Sequence, residues 1–187
     1  MNEEPVTEAA PRRTAPWIAG SIAVVLVAFI ALLATRKQGD DGMTSALINQ
    51  AAPAIVGKTL TGDSFDISDH KGQWVLVNFF STTCAPCLAE HDDLTRWYND
   101  HKAAGDATLV SVVFNESADS VKQYFAAKGG GWPVIGNEDG SISSQYGVVK
   151  LPESYLVDTT GVVRVKYLGA VTEDELDRRI ASYNGKS

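Results

Sequence analysis

Apolar positions divide the 187-residue chain into one unbroken block near its start and a longer patterned region behind it. From Trp17 to Ala34 there is no charged residue. With Pro16 and Thr35 added, the block approaches the ~20 residues that a helix needs to cross a bilayer. Trp17 suits an interfacial position, and Arg12/Arg13 and Arg36/Lys37 bracket the span. A helix apolar on every side has nothing obvious to bury it at a chain end. The run also exceeds a usual signal-peptide core, and no A-x-A site precedes Arg36. The pattern predicts a short polar tail over 1–16, one uncleaved transmembrane anchor over 17–35, a linker over 36–50 and a globular domain over 51–187.

Within the domain the period changes repeatedly. Alternation on either side of Thr61-Gly62-Asp63 predicts a short hairpin, and Trp74–Phe80 reads as a buried strand. A helix is expected from about 84 to 103, with Cys87, His91, Leu94 and Tyr98 on one face and Gly105 ending it. The β-branched run 108–114 predicts a central strand, and 117–128 a helix stopped by three glycines. Further elements follow: a strand over 132–135, a short helix over 141–146, and strands over 154–158 and 162–168 joined by Thr159-Thr160-Gly161. Thr172-Glu173-Asp174-Glu175 opens the last helix as a capping box. Alternating strands and helices, closed by an antiparallel hairpin and a helix, give an α/β fold: a mixed central sheet flanked by helices on both faces, with an N-terminal hairpin extension.

Charge narrows the function classes. Beyond residue 37 twelve Lys/Arg face twenty Asp/Glu, a net charge of −8. An acidic domain without a basic patch argues against a nucleic-acid partner. The two cysteines are too few for a disulfide scaffold, and no second Cys/His cluster completes a metal site, so neither metal nor cofactor is expected.

Those two cysteines carry the chemistry. Cys84-Ala85-Pro86-Cys87 falls where the buried strand gives way to a helix. Free backbone N–H groups and the positive end of the helix dipole at that point stabilise a thiolate. Cys84 is the candidate nucleophile, and Cys87, one turn deeper, the resolving thiol that attacks a mixed disulfide. Pro86 fixes the helical φ in a turn where its missing N–H costs nothing. The plainer alternative is a pair of reduced cysteines packed as small apolar groups. Basic residues on both sides of the apolar block leave orientation open, and the cysteine chemistry favours the domain lying outside the cytoplasm.

Residues 51–183 resemble the TlpA/ResA/DsbE family of membrane-anchored, extracytoplasmic thiol–disulfide oxidoreductases, which have the thioredoxin fold. The resemblance runs through Ala52-Pro53, Val77-Asn78-Phe79-Phe80, Cys84 to His91, Trp132-Pro133-Val134, Tyr146-Gly147-Val148 and Leu151 to Asp158. It implies that Pro152 bears a cis peptide bond beside the redox pair, and that the backbone of Leu151 pairs with an extended substrate segment. It also implies that Glu90 carries the proton in thiol exchange, because Asn78 stands where thioredoxins proper place a buried Asp. Read from composition alone, Glu90 is a solvated helix acid and Pro152 an ordinary trans turn proline. The family usually has Trp immediately before the first cysteine, whereas Thr83 stands here, so the surface presented to a partner differs. His91 reads as a packed helix residue, and His70 and His101 as surface residues.

The leading expectation is a membrane-tethered disulfide reductase acting on protein thiols and disulfides through Cys84 and Cys87. Apocytochrome c is one substrate the resemblance implies, with a membrane electron donor or acceptor as redox partner. A dithiol oxidase for secreted proteins is the main alternative, since direction depends on reduction potential. A peroxiredoxin-type peroxidase is disfavoured by Val77 and Ser81 standing where its Pro and Thr belong. A copper-delivery protein is disfavoured by the two-residue gap between the cysteines.

Overall fold

The computed structural model describes residues 26–27 and 45–185. The predicted tail, anchor and most of the linker therefore lie outside the described residues. No helix among the described residues is long and apolar enough to cross a membrane. Residues 45–50, read as the end of the linker, are packed onto the domain. Leu47 and Ile48 lie against its core, and the Asn49 N–H donates to the Val163 carbonyl.

The elements are β1 (Val56–Lys58), β2 (Ser64–Asp66), β3 (Trp74–Phe80), α1 (Ala85–Ala104), β4 (Ala107–Val113), α2 (Ala118–Lys128), β5 (Val134–Ile135), α3 (Ser141–Tyr146), β6 (Glu153–Val157), β7 (Val163–Leu168) and α4 (Glu173–Asn184). β1 and β2 form a separate antiparallel hairpin. The other strands make one sheet in the order β5-β4-β3-β6-β7. β3, β4 and β5 run parallel, while β6 and β7 are antiparallel to their neighbours.

Right-handed crossovers explain the layering. The chain steps β3 to β4 to β5 in one direction across the sheet, so both connecting helices fall on the same face. Leu94, Trp97 and Tyr98 of α1, Val121 of α2, and Leu176 and Ile180 of α4 share a core with Leu76, Phe80, Leu109 and Leu156. Opposite them, Ile55, Phe65 and Tyr146 cover Val75, Val77, Phe79, Val110 and Tyr155. Strands β3 and β4 are buried along their whole length, as apolar runs covered on both faces must be. Residues ahead of β3 cap the edges: the Leu60 N–H donates to the Val134 carbonyl, and Val163 exchanges backbone bonds with Asn49 and Gln50.

The predicted strand 132–135 forms ladder pairs only at Val134 and Ile135. Pro133 has no N–H to give, and Trp132 is turned into the core at 5% exposure. α1 ends at Gly105, whose φ of 75° is left-handed and whose N–H caps the His101 carbonyl. His101 is mostly enclosed rather than a surface residue. Its ring nitrogens lie 2.8 Å from Asp106 and 2.9 Å from Asp177. His70 is likewise half-buried, stacked on Phe65.

Candidate active site

β3 delivers the chain to the C-terminal edge of the parallel strands, and α1 turns back from it. Cys84 is the N-cap residue of α1, with extended backbone angles, and Pro86 sits in the first turn. The cysteines are joined as a Cys84–Cys87 disulfide with Cα atoms 5.2 Å apart. Cys84 is half-buried, whereas Cys87 is 5% exposed. The Cys87 backbone N–H donates to the Cys84 sulfur at 3.3 Å. This helix-tip donor stabilises negative charge at Cys84 in preference to Cys87. No acidic residue lies in the first turn to oppose that effect.

Glu90 lies one turn beyond Cys87 on α1 and is 2% exposed. Its Oε1 accepts from the Asn78 amide at 2.9 Å and its Oε2 from the Val171 N–H at 3.0 Å. Among the described residues no cation pairs with it. Burial pushes its carboxyl up to about 7, against the pull of those two hydrogen bonds, with Asp93 adding a smaller upward push. The composition-based reading of Glu90 as a solvated acid therefore fails. A carboxyl poised near neutrality can hold or release a proton at working pH.

The Leu151–Pro152 peptide bond is cis. Pro152 is buried and Leu151 half-buried, packed against both cores. Thr83 is exposed beside Cys84, its hydroxyl 2.8 Å from that of Ser81. His91 is packed against Tyr124, Phe125 and Trp132, with ring centroids 5.0–5.5 Å away, and burial lowers its pKa. It is neutral packing rather than a partner for the thiols. Among the described residues no group of His, Cys, Asp or Glu is placed to hold a metal.

Two carboxylates of the site escaped the sequence reading. Glu116, between β4 and α2, accepts from the Ser81 hydroxyl at 3.0 Å, the Thr82 N–H at 2.7 Å and the Thr82 hydroxyl. It pins the segment that leads into Cys84. Glu153, 0% exposed, accepts from the N–H groups of Val149 and Lys150 and from Lys166 Nζ at 2.9 Å. It fixes the loop that leads into Pro152. A charge inside an apolar strand was the available signal for Glu153, whereas a loop acid such as Glu116 carries none.

The sheet, the helix-tip disulfide and the cis-proline loop together define a thioredoxin-like thiol–disulfide oxidoreductase. Residues 48–166 match the AhpC/TSA family. The chain is 31% identical over 130 residues to the thiol–disulfide oxidoreductase ResA of Bacillus thuringiensis, covering 70% of this chain and 75% of that one. It is 28% identical over 169 residues to the thioredoxin-like protein YneN of Bacillus subtilis, covering 88% and 96%. Among solved structures, a thiol:disulfide interchange protein of the thioredoxin family from Chlorobium tepidum superposes with a TM-score of 0.66 at 26% identity, covering 74% of this chain and 97% of that one. This chain belongs to the AhpC/TSA family, in the ResA-like group of thiol–disulfide oxidoreductases.

Proposed function

We propose that this protein is a membrane-tethered, extracytoplasmic disulfide reductase, with apocytochrome c disulfides among its substrates. The observation that carries the reading is the asymmetry of the pair: a half-buried Cys84 at the helix tip, a buried Cys87 behind it, and Glu90 one turn further in. The apolar block 17–35 supports the tether, and the name of the ResA relatives supports the chemistry.

In the reduced protein the Cys84 thiolate attacks one sulfur of a substrate disulfide. A Cys84–substrate disulfide forms, and the other substrate sulfur leaves as a thiolate that takes a proton. Cys87 then attacks Cys84, giving its proton to the Glu90 carboxylate. The second substrate sulfur leaves and is protonated in turn. Two electrons pass to the substrate, and the protein is left as the Cys84–Cys87 disulfide. The Leu151 backbone, beside the cis-proline, takes the extended substrate segment, and Thr83 shapes the surface around Cys84. A membrane-borne dithiol donor restores the reduced state.

Replacing Cys87 by Ser in the full-length chain blocks resolution. The variant is expected to accumulate mixed disulfides through Cys84 with extracytoplasmic proteins, identified after acid quenching. Adducts confined to cytoplasmic proteins, or no adducts, would overturn the reading.

A further inference from the structure

Behind Glu90, a row of polar side chains crosses the three central strands. Asn78 of β3 is the register partner of Ser111 on β4 and of Ser154 on β6. All three are buried, at 2%, 1% and 0% exposure. Three polar residues in the middle of an otherwise apolar core face have to satisfy one another. Their hydrogen bonds have a direction.

The direction starts at Trp132. An indole N–H can only donate, and it donates to Ser111 Oγ at 2.8 Å. The Ser111 hydroxyl hydrogen then goes to Asn78 Oδ1 at 3.2 Å. With its oxygen engaged, Asn78 turns its NH₂ to Glu90 Oε1 at 2.9 Å and to Ser154 Oγ at 3.0 Å. The opposite amide orientation is chemically complete on the other side. Ser154 is able to donate to the amide oxygen, and a protonated Glu90 would donate to it as well. Nothing in Asn78, Ser154 and Glu90 alone chooses between the two. Ser111 does, because a flipped amide leaves its hydroxyl hydrogen without an acceptor among the described contacts.

We propose that Ser111 is a positioning residue: by donating to Asn78 it keeps the amide NH₂ facing Glu90 and so sets how tightly Glu90 holds its proton. An N–H donor facing the carboxyl favours the ionised form, and a carbonyl facing it favours the acid. Trp132 supports the arrangement by polarising the Ser111 hydroxyl. Other charges around Glu90 do not do this work. On α1, Asp93 gives Glu90 a small upward push, and it is engaged by Arg96 at 2.6 Å and by the Glu173 N–H. The approach to α4 offers the Val171 N–H, and Glu173 is turned to Arg96. Strands β3, β4 and β6 present Asn78, Ser111 and Ser154. The Glu153–Lys166 pair lies on the other face of the sheet, with Tyr155.

The catalytic importance of this device rests on the proton-carrying role proposed for Glu90; the orientation itself does not. The test is the Glu90 carboxyl titration followed by ¹³C NMR in the full-length protein. Ser111→Ala is expected to raise the midpoint by about one pH unit. Ser111→Thr should restore it, and Ser111→Cys, a weaker donor, should fall between. In an Asn78→Leu background, Ser111→Ala should produce no further movement, because there is no amide left to orient. An unchanged midpoint in a folded Ser111→Ala protein, or the same movement in both backgrounds, would overturn the proposal. The Glu90 reading is judged separately, by the pH profile of exchange in Glu90→Gln. If that profile matches the wild type, the proton-carrying role falls whatever the titration shows.

Discussion

The two faces of the central sheet each cover a buried carboxylate, and they treat it in opposite ways. Under α3, Glu153 meets Lys166 Nζ at 2.9 Å and two loop N–H groups. On the opposite face Glu90, carried by α1, receives two N–H donors and no cation among the described residues. A buried charge matched by an opposite charge is fixed and works as a strut. A buried carboxyl given only neutral donors remains near its ionisation point and is able to store a proton. The strut holds the loop bearing cis-Pro152, and the store lies behind Cys87.

Breaking the strut should cost most. Glu153→Ala leaves Lys166 buried without its partner and frees the Val149 and Lys150 N–H groups, a loss of about 3–5 kcal/mol. Denaturant unfolding would measure it. A loss below 1 kcal/mol would mean that water already reaches the pair.

The store should reveal itself through pH. The folded carboxyl of Glu90 titrates at about 7, above its unfolded value, so the native state holds the proton more tightly. The stability of the oxidised protein should therefore fall as pH rises from the ordinary carboxyl range through about 7, by roughly 3 kcal/mol. Glu90→Gln should abolish that slope and exceed the wild type in stability above pH 7. Equal slopes in both proteins would show that Glu90 ionises normally.

Glu116 predicts a smaller effect at the mouth of the site. Glu116→Ala releases the Ser81 and Thr82 donors, at a cost of about 1–2 kcal/mol. Exchange with a protein disulfide should slow roughly tenfold as the segment before Cys84 loses its fixed geometry. Stopped-flow rates would show this, and unchanged rates would confine Glu116 to stability.

The sequence made the scaffold legible wherever one periodicity persisted. The continuous apolar runs of β3 and β4 and the 4-3-4 spacing on α1 located those elements to within a residue, and the capping box located α4. The cysteine spacing located the redox pair for the same reason, since it is a local pattern. The second layer of the site was not legible, because its contacts cross the chain. Glu116 acts on residues 34 and 35 positions earlier, and Ser111 on Asn78 33 positions earlier. One polar residue inside an apolar strand, such as Ser111 or Glu153, shows in sequence only as an interruption. Its meaning depends on which neighbours the sheet register sets beside it. His101 was misjudged for the same reason, since its partner Asp177 belongs to the last helix.

Selective alkylation of the reduced full-length protein at rising pH, with each cysteine mapped by mass spectrometry, tests the cysteine assignment most directly. Cys84 should react first, at a pH below the ~8.5 of a free thiol, with Cys87 protected until the protein unfolds. Cys87 reacting first, or both reacting together only above that pH, would contradict the account.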